Sequence, residues 1–379
     1  MKDNWTSKFI GQLTNNLDNK RIPLNKTQRD EKRGDETYPY LGANGEVDRI
    51  DDYIFDERII CIAEDGGSWG EGQKCAYIVN EKCWVNNHAH VLTAKNGLSL
   101  DYLRYYLNLS DLSKYITGTT RGKLTRGALE RIEIPLPPLP EQKRIAEVLD
   151  KADALREKRR LALQKLDTLL QSVFLEMFGD PVKNPKDLTK KPLGELIKVK
   201  SGAFLPEKSF GKTGNIPVYG GNGISGYHDE YMFDRPMLVI GRVGVYCGAI
   251  HLTRAFSWIT DNALYISEKS GDLNETYLFY ALKQANLNQY AGRFAQPLVS
   301  GSRIYPVSIV VPPMNLQNKF AEIIEKIKSL EIKNIDASKK SENLFQSLQQ
   351  RAFKGELFND EFPPVEPQEE NVWQQTSLF

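Results

Sequence analysis

Two long runs that contain neither proline nor glycine constrain the fold of this chain more than any other feature. They cover residues 141–178 and 316–354, and each is followed directly by a glycine, Gly179 or Gly355. Pro140 suits a first helical turn, where its missing N–H leaves no hydrogen bond unmade. The runs therefore predict two helices, each about 57 Å long at a rise of ~1.5 Å per residue.

Apolar residues recur in both runs with the seven-residue spacing of a coiled coil. In the first run, the seam positions are Ile145, Val148, Ala152, Leu155, Arg159, Ala162, Leu166, Leu169, Val173 and Glu176. In the second run, they are Phe320, Ile323, Ile327, Leu330, Asn334, Ala337, Ser341, Leu344, Leu348 and Arg351. Such stripes predict that each helix buries one seam, and the matching lengths favour an antiparallel pair.

Two polar residues, Arg159 and Asn334, interrupt these seams near their centres. A polar seam residue can fix the register of a helix pair at some cost in stability. The alternative is that both side chains extend into solvent. The sequence leaves these two interpretations open.

The segments that precede the two helices are copies of one pattern. Residues 40–63, YLGANGEVDRIDDYIFDERIICIA, align without a gap with residues 218–241, VYGGNGISGYHDEYMFDRPMLVIG. Both copies contain GxNG, in which Gly and Asn adopt positive φ at little steric cost. Three further pairs of segments match: 84–89 with 258–263, 101–116 with 275–290, and 132–139 with 307–314.

Three glycines of the second copy, Gly221, Gly223 and Gly226, have the GxGxxG spacing of dinucleotide-binding loops. In such loops a helix opens directly after the glycines, but the following YHDEYMFDRP has no apolar periodicity. The first copy has Ala43 and Asp48 at two of the three positions. The glycines are therefore interpreted as part of a repeated turn.

Composition excludes several function classes. No apolar run is long enough to span a membrane, so no membrane partner is expected. The four cysteines form no CxxC pair, which favours a reducing cytoplasm over disulfide bonds. His88 and His90 lack a second ligand pair of suitable spacing, so we interpret them as neighbours on one face of a strand and predict no metal site.

These patterns predict an α+β fold with an internal pseudo-two-fold repeat. In this fold, two homologous mixed α/β domains are separated by two long antiparallel coiled-coil helices. The predicted segments are domain 1 at 1–139, helix 1 at 140–180, domain 2 at 181–314, helix 2 at 315–358 and a flexible acidic tail at 359–379. A rod of about 57 Å, or roughly 17 base pairs of DNA, with a similar domain at each end suggests a linear target in two parts.

Several segments resemble those of type I restriction-modification specificity subunits. They are LDNKRIPLNK (17–26), the GANG and GGNG turns, IPLPPLPEQKRIAEVLD (134–150), LDTLLQSVFLEMFGDP (166–181) and SLQQRAFKGELF (347–358). The resemblance implies that the α/β domains are target-recognition domains, each of which reads one half of a split double-stranded DNA sequence. It also implies that the two helices space the halves and dock methyltransferase subunits.

The same resemblance implies a non-catalytic chain that binds no cofactor itself. S-adenosylmethionine, ATP and Mg would act on partner subunits, namely two methyltransferase subunits and, through them, restriction subunits. The chain has no NPPF-like tetrapeptide, no GxxxxGK[ST] and no HExxH, which agrees with this expectation.

Candidate DNA contacts are cations and amides on loop-like segments of each copy. In the first copy they are Lys20, Arg21, Asn44, Arg121, Lys123 and Arg126, the last three within GTTRGKLTRG. In the second copy they are Lys198, Lys200, Asn222, Arg242, Arg293 and Arg303. For any single residue the alternative is a solvated surface cation. Residues 183–313 carry 15 Lys/Arg against 10 Asp/Glu, whereas residues 1–139 carry 19 against 20.

The two copies differ at one informative place. The second copy has GRVG at 241–244 where the first has AEDG at 63–66. An acid that faces DNA is repulsive unless it accepts a hydrogen bond from a cytosine amino group. This difference predicts two different half-sites and therefore an asymmetric target.

The tail after Phe358 is acidic and contains prolines. Its end resembles the peptide by which bacterial proteins bind the replication sliding clamp, at Gln375, Thr376, Ser377, Leu378 and Phe379. Two rival functions remain open: an enzyme in its own right, such as a DNA methyltransferase or nuclease, and a coiled-coil adaptor that binds no nucleic acid.

Overall fold

The computed structural model describes residues 5–118, 121–181, 183–210, 214–292 and 297–358. The chain divides into two compact units. The first unit combines residues 1–158 with 337–379, and the second is residues 159–336. Each unit thus contains one α/β domain together with part of each long helix.

Among its described residues, the first unit contains eleven strands and four short α-helices, followed by the first long helix. In chain order they are β1 (Thr6–Phe9), α1 (Ile10–Leu13), β2 (Thr14–Asn16), α2 (Lys26–Asp30), β3 (Tyr38–Gly42), β4 (Gly45–Ile50), β5 (Ile59–Ala63), β6 (Ala76–Val79), β7 (Trp84–Val85), β8 (Ala89–Ala94), α3 (Leu100–Leu109), β9 (Ile116–Thr117), β10 (Lys123–Leu124), α4 (Arg126–Glu130), β11 (Glu133–Leu136) and α5 (Leu139–Phe178).

The second unit repeats this order, but without counterparts of α2, β9 and β10 among the described residues. Its elements are β12 (Lys190–Pro192), α6 (Leu193–Leu196), β13 (Ile197–Ser201), β14 (Ile216–Gly220), β15 (Gly223–His228), β16 (Leu238–Gly241), β17 (Ile250–Leu252), β18 (Trp258–Ile259), β19 (Ala263–Lys269), α7 (Glu275–Gln284), α8 (Gly301–Ile304), β20 (Ser308–Val310) and α9 (Met314–Lys354).

Both domains have the same sheet topology. The four-stranded sheet has the order β2-β8-β5-β6 in the first domain and β13-β19-β16-β17 in the second. The three-stranded sheet has the order β4-β3-β7 or β15-β14-β18, and its short third strand runs parallel to the central one, with Tyr40 opposite Trp84 and Val218 opposite Trp258. Every residue of β5 and of β16 is buried, as expected of strands covered on both faces. The predicted α+β fold with two homologous domains is confirmed.

A buried glutamine near the start of each long helix repeats the same hydrogen bonds. In the first unit, Gln142 accepts from the N–H of Ser99 at 2.8 Å and donates to the carbonyls of Gly97 and Pro137. In the second unit, Gln317 accepts from the N–H of Asn274 at 2.8 Å and donates to two carbonyls in the same way. Each glutamine ties a long helix to the loop that begins α3 or α7, because buried amide groups need partners.

Within the first unit, α5 and the end of α9 run antiparallel. The guanidinium of Arg144 lies 4.3 Å from the ring centre of Phe358, whereas that of Arg156, three turns further along α5, lies 4.1 Å from that of Phe345. Arg156 also pairs with Glu342 at 3.3 Å. Contacts that advance along one helix while receding along the other define an antiparallel pair.

The predicted seams are correct at one position of each heptad. Within the described residues, the first positions are buried or half-buried in both helices: Ile145, Ala152, Arg159, Leu166 and Val173 in α5, and Phe320, Ile327, Asn334, Ser341 and Leu348 in α9. Among the described residues, no hydrogen bond joins Arg159 to Asn334, the two polar residues near the seam centres. Asn334 donates to the Leu330 carbonyl of its own helix at 2.9 Å, and the buried Nε of Arg159 has no partner among the described residues.

The second seam position is only partly correct: Val148, Ala162, Ile323 and Ala337 are half-buried, whereas other positions are wrong in both helices. Leu155, Leu330 and Leu344 are exposed, and the residue that follows each of them is more buried. The reason is that each helix also packs on its α/β domain. Phe345 lies 6.4 Å from Tyr105 between ring centres, for example, and turns the buried face by one residue, or about 100°. The heptad pattern considers only the contact between the two helices, so it could not predict the additional contact of each helix with its α/β domain.

Candidate nucleic-acid interface

The GxNG turns are the tips of two equivalent hairpins. β3 turns into β4, and β14 turns into β15, each with a register shift one residue before the last pair. Gly45 and Gly223 have φ of 110° and 89°, values that residues with a Cβ rarely adopt. Asn44 and Asn222 are thereby held exposed at the two tips. Asn44 also donates to the carbonyl of Gly66 at 3.1 Å, which links its hairpin to the loop after β5.

The acids of that loop, Glu64 and Asp65, are neutralised by cations. Glu64 pairs with Arg21 at 2.6 Å and with Lys123 at 2.9 Å. Asp65 pairs with Arg121 at 2.7 Å, and His88 Nδ1 lies 2.7 Å from the same carboxylate. The two acids that replace the arginine and valine of the second copy are therefore paired within the chain.

A buried ion cluster lies behind these pairs. His90 is 1% exposed, its Nδ1 lies 2.6 Å from Asp18, and its Nε2 lies 2.7 Å from the carbonyl oxygen of Leu124. A ring nitrogen must carry a hydrogen to bond to either oxygen, so the geometry fits the imidazolium form. The cluster ties β8 to β10, the strand that presents Lys123.

The surrounding groups stabilise the ionised carboxylates of this cluster. Burial opposes ionisation of Asp18, but hydrogen bonding to His90 and its charge outweigh that effect and hold the pKa of Asp18 below its usual value. Burial likewise opposes ionisation of Glu64, and hydrogen bonds from Lys123 and Arg21 lower its pKa on balance. Asp18, Glu64 and His90 lie close enough to hold a metal ion, but Arg21 and Lys123 already supply their countercharge, so we interpret them as an ion-pair cluster.

An open groove of about 430 Å³ adjoins this surface in the first unit. Of the predicted contacts, Asn44 and Arg121 line it, together with His88, Asn86 and Arg29, which the sequence analysis missed. The prediction that His88 shares a strand face with His90 is wrong, because β8 begins only at Ala89 and His88 lies in the preceding turn, where it pairs with Asp65. The groove brings donors and acceptors of mixed type to one place, as base-edge recognition requires.

The other predicted residues of the first unit lie in different settings. Lys20 is half-exposed, with its ammonium 3.9 Å from Glu57. Arg126 begins α4 and pairs with Glu130 at 2.7 Å. Arg21 is mostly buried and also donates to the carbonyl of Ala89, so the structure argues against Arg21 as a DNA contact.

In the second unit, Arg242 takes the place of Glu64. Its Nη1 donates to Ser201 Oγ at 3.0 Å and to the Asp261 carbonyl at 3.2 Å, which leaves the guanidinium partly exposed without a carboxylate partner among the described residues. A cation held by neutral acceptors keeps its charge available for a phosphate or a guanine edge.

The remaining cations of the second unit are more dispersed. Lys198 and Lys200 project from the same face of β13, and Lys198 pairs with Glu268 at 2.7 Å. Arg303 is exposed on α8, with its guanidinium beside Gly292. Arg293 lies outside the described residues, as do Gln375, Ser377, Leu378 and Phe379 of the tail.

Many apolar side chains of the two long helices remain exposed. In the first unit they are Leu155 and Leu344. In the second unit they are Leu161, Leu169, Leu175, Leu330, Ile332 and Ile335.

Among the described residues, no helix is both long and apolar enough to cross a bilayer. The four cysteines are free and buried.

Comparison with known proteins gives one consistent family. A profile described as "Type I restriction modification DNA specificity domain" matches residues 2–165 and 185–342. The chain is 25% identical over 342 residues to a putative type I restriction enzyme specificity subunit of Haemophilus influenzae, covering 85% of this chain and 87% of that protein. It is 32% identical over 145 residues to the type I restriction enzyme EcoprrI specificity subunit of Escherichia coli, covering 37% and 36%.

Solved structures show the same fold. The S subunit of a type I restriction-modification system from M. genitalium superposes with a TM-score of 0.67 at 16% identity, covering 93% of this chain and 97% of that one. A chain from a structure on the complex assembly and conformational transition of a type I system gives 0.54 at 14% identity, covering 94% and 99%.

Proposed function

The chain belongs to the type I restriction-modification DNA specificity family, and from that membership we propose that it reads a bipartite, asymmetric sequence in double-stranded DNA. The observation that carries the proposal is the duplicated hairpin tip with polar side chains beside it. Asn44 and Arg121 line one groove in the first unit, and in the second unit the hairpin of Asn222 lies against the loop that carries Arg242. Two copies of one reading surface suit two half-sites. Their different charges, with paired acids in one and an arginine without a carboxylate partner in the other, suit half-sites of different sequence.

The test is genome-wide mapping of methylated adenines in cells that carry this chain with its neighbouring methyltransferase. The control is the same strain without the gene for this chain. A split, non-palindromic motif should disappear in the control. An unchanged methylation pattern would contradict DNA recognition, a continuous motif would contradict two half-sites, and a palindrome would contradict the asymmetry.

We further propose that the chain acts without catalysis or a bound cofactor and assembles with two methyltransferase subunits and, through them, restriction subunits. Titration of the purified chain with S-adenosylmethionine should show no binding, whereas the assembled complex should bind it. Binding by the isolated chain would favour the rival enzyme function. A shift of DNA in a gel that weakens with salt separates DNA recognition from the adaptor function.

The exposed apolar positions of the long helices support the docking of methyltransferase. Ile332 and Ile335 lie three residues apart on one face of α9 and are solvent-exposed in the isolated chain. The variant I332D/I335D should fail to co-purify with the methyltransferase while keeping its melting temperature. K333D reverses a charge on the same turn and should still co-purify. Loss of the methyltransferase in both variants would contradict an apolar contact.

The sliding-clamp motif remains a separate proposal, because it lies outside the described residues. Deletion of residues 375–379 should abolish retention of the chain on immobilised clamp. Equal retention of the full and truncated chains would remove the proposal.

A further inference from the structure

The loop between β16 and β17 exposes two neighbouring apolar side chains near its middle. Val245 is 79% exposed and Tyr246 is 60% exposed, whereas the next residue, Cys247, is buried. Single exposed apolar residues are common on protein surfaces. Val245 and Tyr246, side by side in the middle of a loop, form a small apolar projection, which we call the apolar tip.

The backbone of the apolar tip is fixed. The N–H of Cys247 donates to the Gly244 carbonyl at 3.0 Å, which closes a tight turn around the two exposed residues. Asn288 supports the turn from behind, since its Nδ2 donates to the carbonyls of Cys247 at 2.8 Å and Val245 at 3.3 Å. A turn held in this way loses little conformational entropy when a ligand covers it, which favours binding.

The apolar tip is continuous with the proposed DNA-reading surface of the second unit. The same loop carries Arg242 three residues before Val245. The hairpin that presents Asn222 lies directly against this loop, because a Cβ at Gly221 would meet the Val243 carbonyl oxygen at 2.9 Å. Residues 183–313 carry 15 Lys/Arg against 10 Asp/Glu, so the surroundings favour a polyanion over an acidic protein.

The fold itself does not require the apolar tip. The corresponding loop of the first domain, between β5 and β6, is longer, and the residues that it exposes, such as Ser68 and Gln73, are polar or glycine. Trp69 of this loop is buried and donates its indole N–H to the Ala63 carbonyl at 3.1 Å. Because the same topology forms with a loop that exposes no apolar side chain, the sheet fold does not require the apolar pair.

We propose that Val245 and Tyr246 enter a groove of the DNA and pack against base pairs of the half-site that the second domain reads. This inference rests on the proposed function and deepens it by assigning a specificity-determining pair. Apolar side chains gain nothing from phosphates, whereas a thymine methyl group or the face of an unstacked base offers apolar surface. The apolar tip supplies shape and base contact, and Arg242 beside it supplies charge.

The test is DNA binding by the complex of this chain with its methyltransferase, measured over a series of salt concentrations. The probes are a duplex with the motif found by methylation mapping and a duplex with that motif scrambled. The variant V245S/Y246S should bind the motif at least about ten-fold more weakly. The slope of log affinity against log salt should not change, because apolar contacts release no counterions. Y246F keeps the ring and should bind like the wild type.

Two outcomes would overturn the proposal. One is unchanged affinity of V245S/Y246S for the motif. If this variant also lost the methyltransferase, the apolar tip would be assigned to a protein contact. The other is a reduced salt slope, which would mean that the substitution acts through neighbouring cations. If the wild-type complex does not prefer the motif to the scrambled duplex, the proposed function itself fails, and this result is distinct from the other two.

Discussion

At the scale of residues, buried His90 connects two segments of the first domain. Its ring bridges Asp18 on one side and the Leu124 carbonyl on the other, and Leu124 follows Lys123 in the strand that carries the proposed DNA contact. The second domain has Leu264 at the equivalent position, opposite Ile240 as His90 is opposite Ile62. The two domains therefore share a backbone fold but differ in what stabilises the reading loop.

Substitution of His90 by leucine, the residue of the other domain, should destabilise the first unit by about 3 kcal/mol, because it leaves the buried carboxylate of Asp18 without its main partner. Hydrogen exchange of the β8 and β10 amides measures the effect. H88L is the matched control: His88 is partly exposed, so its loss should cost far less. Equal protection in H90L and H88L would contradict a structural role for the buried cluster.

The stability of the first unit should also fall in acid. The pKa values of Asp18 and Glu64 lie below their ordinary values of 3.8 and 4.5 in the folded chain. A lowered folded-state pKa contributes stability above the unfolded-state value, and this contribution is lost as the pH falls through the folded-state value. The groups that face the pair are His90, Arg21 and Lys123.

Urea unfolding at a series of pH values below 5 measures this dependence. Asp18→Asn removes one titrating group and should flatten the loss of stability. An unchanged pH dependence in this variant would show that Asp18 does not carry the effect.

At the scale of elements, the long helices are best understood as parts of two cores rather than as an isolated coiled coil. Phe345 of α9 is 6% exposed and packs with residues of α3 and α5, whereas its neighbour Leu344 is 49% exposed. In the second unit, Phe320 of α9 lies 5.7 Å from Phe174 of α5 and 6.4 Å from Tyr277 of α7, measured between ring centres. Each helix therefore has a buried face set by three neighbours.

This difference gives a matched pair of substitutions on one helix. F345A should lower the free energy of unfolding of the first unit by about 3 kcal/mol, because it leaves a cavity in a packed core. L344A should change it by about 0.5 kcal/mol or less, as at other exposed positions. Chemical denaturation followed by hydrogen exchange in α3 resolves the two. A larger effect of L344A than of F345A would contradict this buried face and support the seam that the heptad pattern predicted.

At the scale of the whole molecule, the internal duplication suits the two separate half-sites of the proposed function. Each domain has its own sheets, its own hairpin tip and its own buried glutamine contact with a long helix. Replacing residues 181–314 with the corresponding segment of a family member should therefore change one half of the methylated motif and leave the other intact.

The reciprocal replacement of residues 1–139 should change only the other half. Methylation mapping of both chimaeras measures the result. If either replacement altered both halves, the two domains would not read the DNA independently.

The repeat, the two long helices and the hairpin turns could all be predicted from the sequence. Each depends on local rules: the absence of proline and glycine over a long run, the recurrence of GxNG, and the preference of glycine for positive φ. The family followed from the order of these same segments. Candidate contacts could be named because cations and amides on loops are the usual DNA ligands, although their individual roles remain predictions.

Only the tertiary structure decided which of those side chains remain available and which face of each helix is buried. Arg21 is held by Glu64, forty-three positions further along the chain, and no local pattern signals that distance. The helix faces depend on α3 and α7, which a heptad pattern does not include. The sequence thus determined the parts and their order, because these depend on neighbouring residues. The structure decided the partners, because burial and charge pairing join residues that are far apart in the chain.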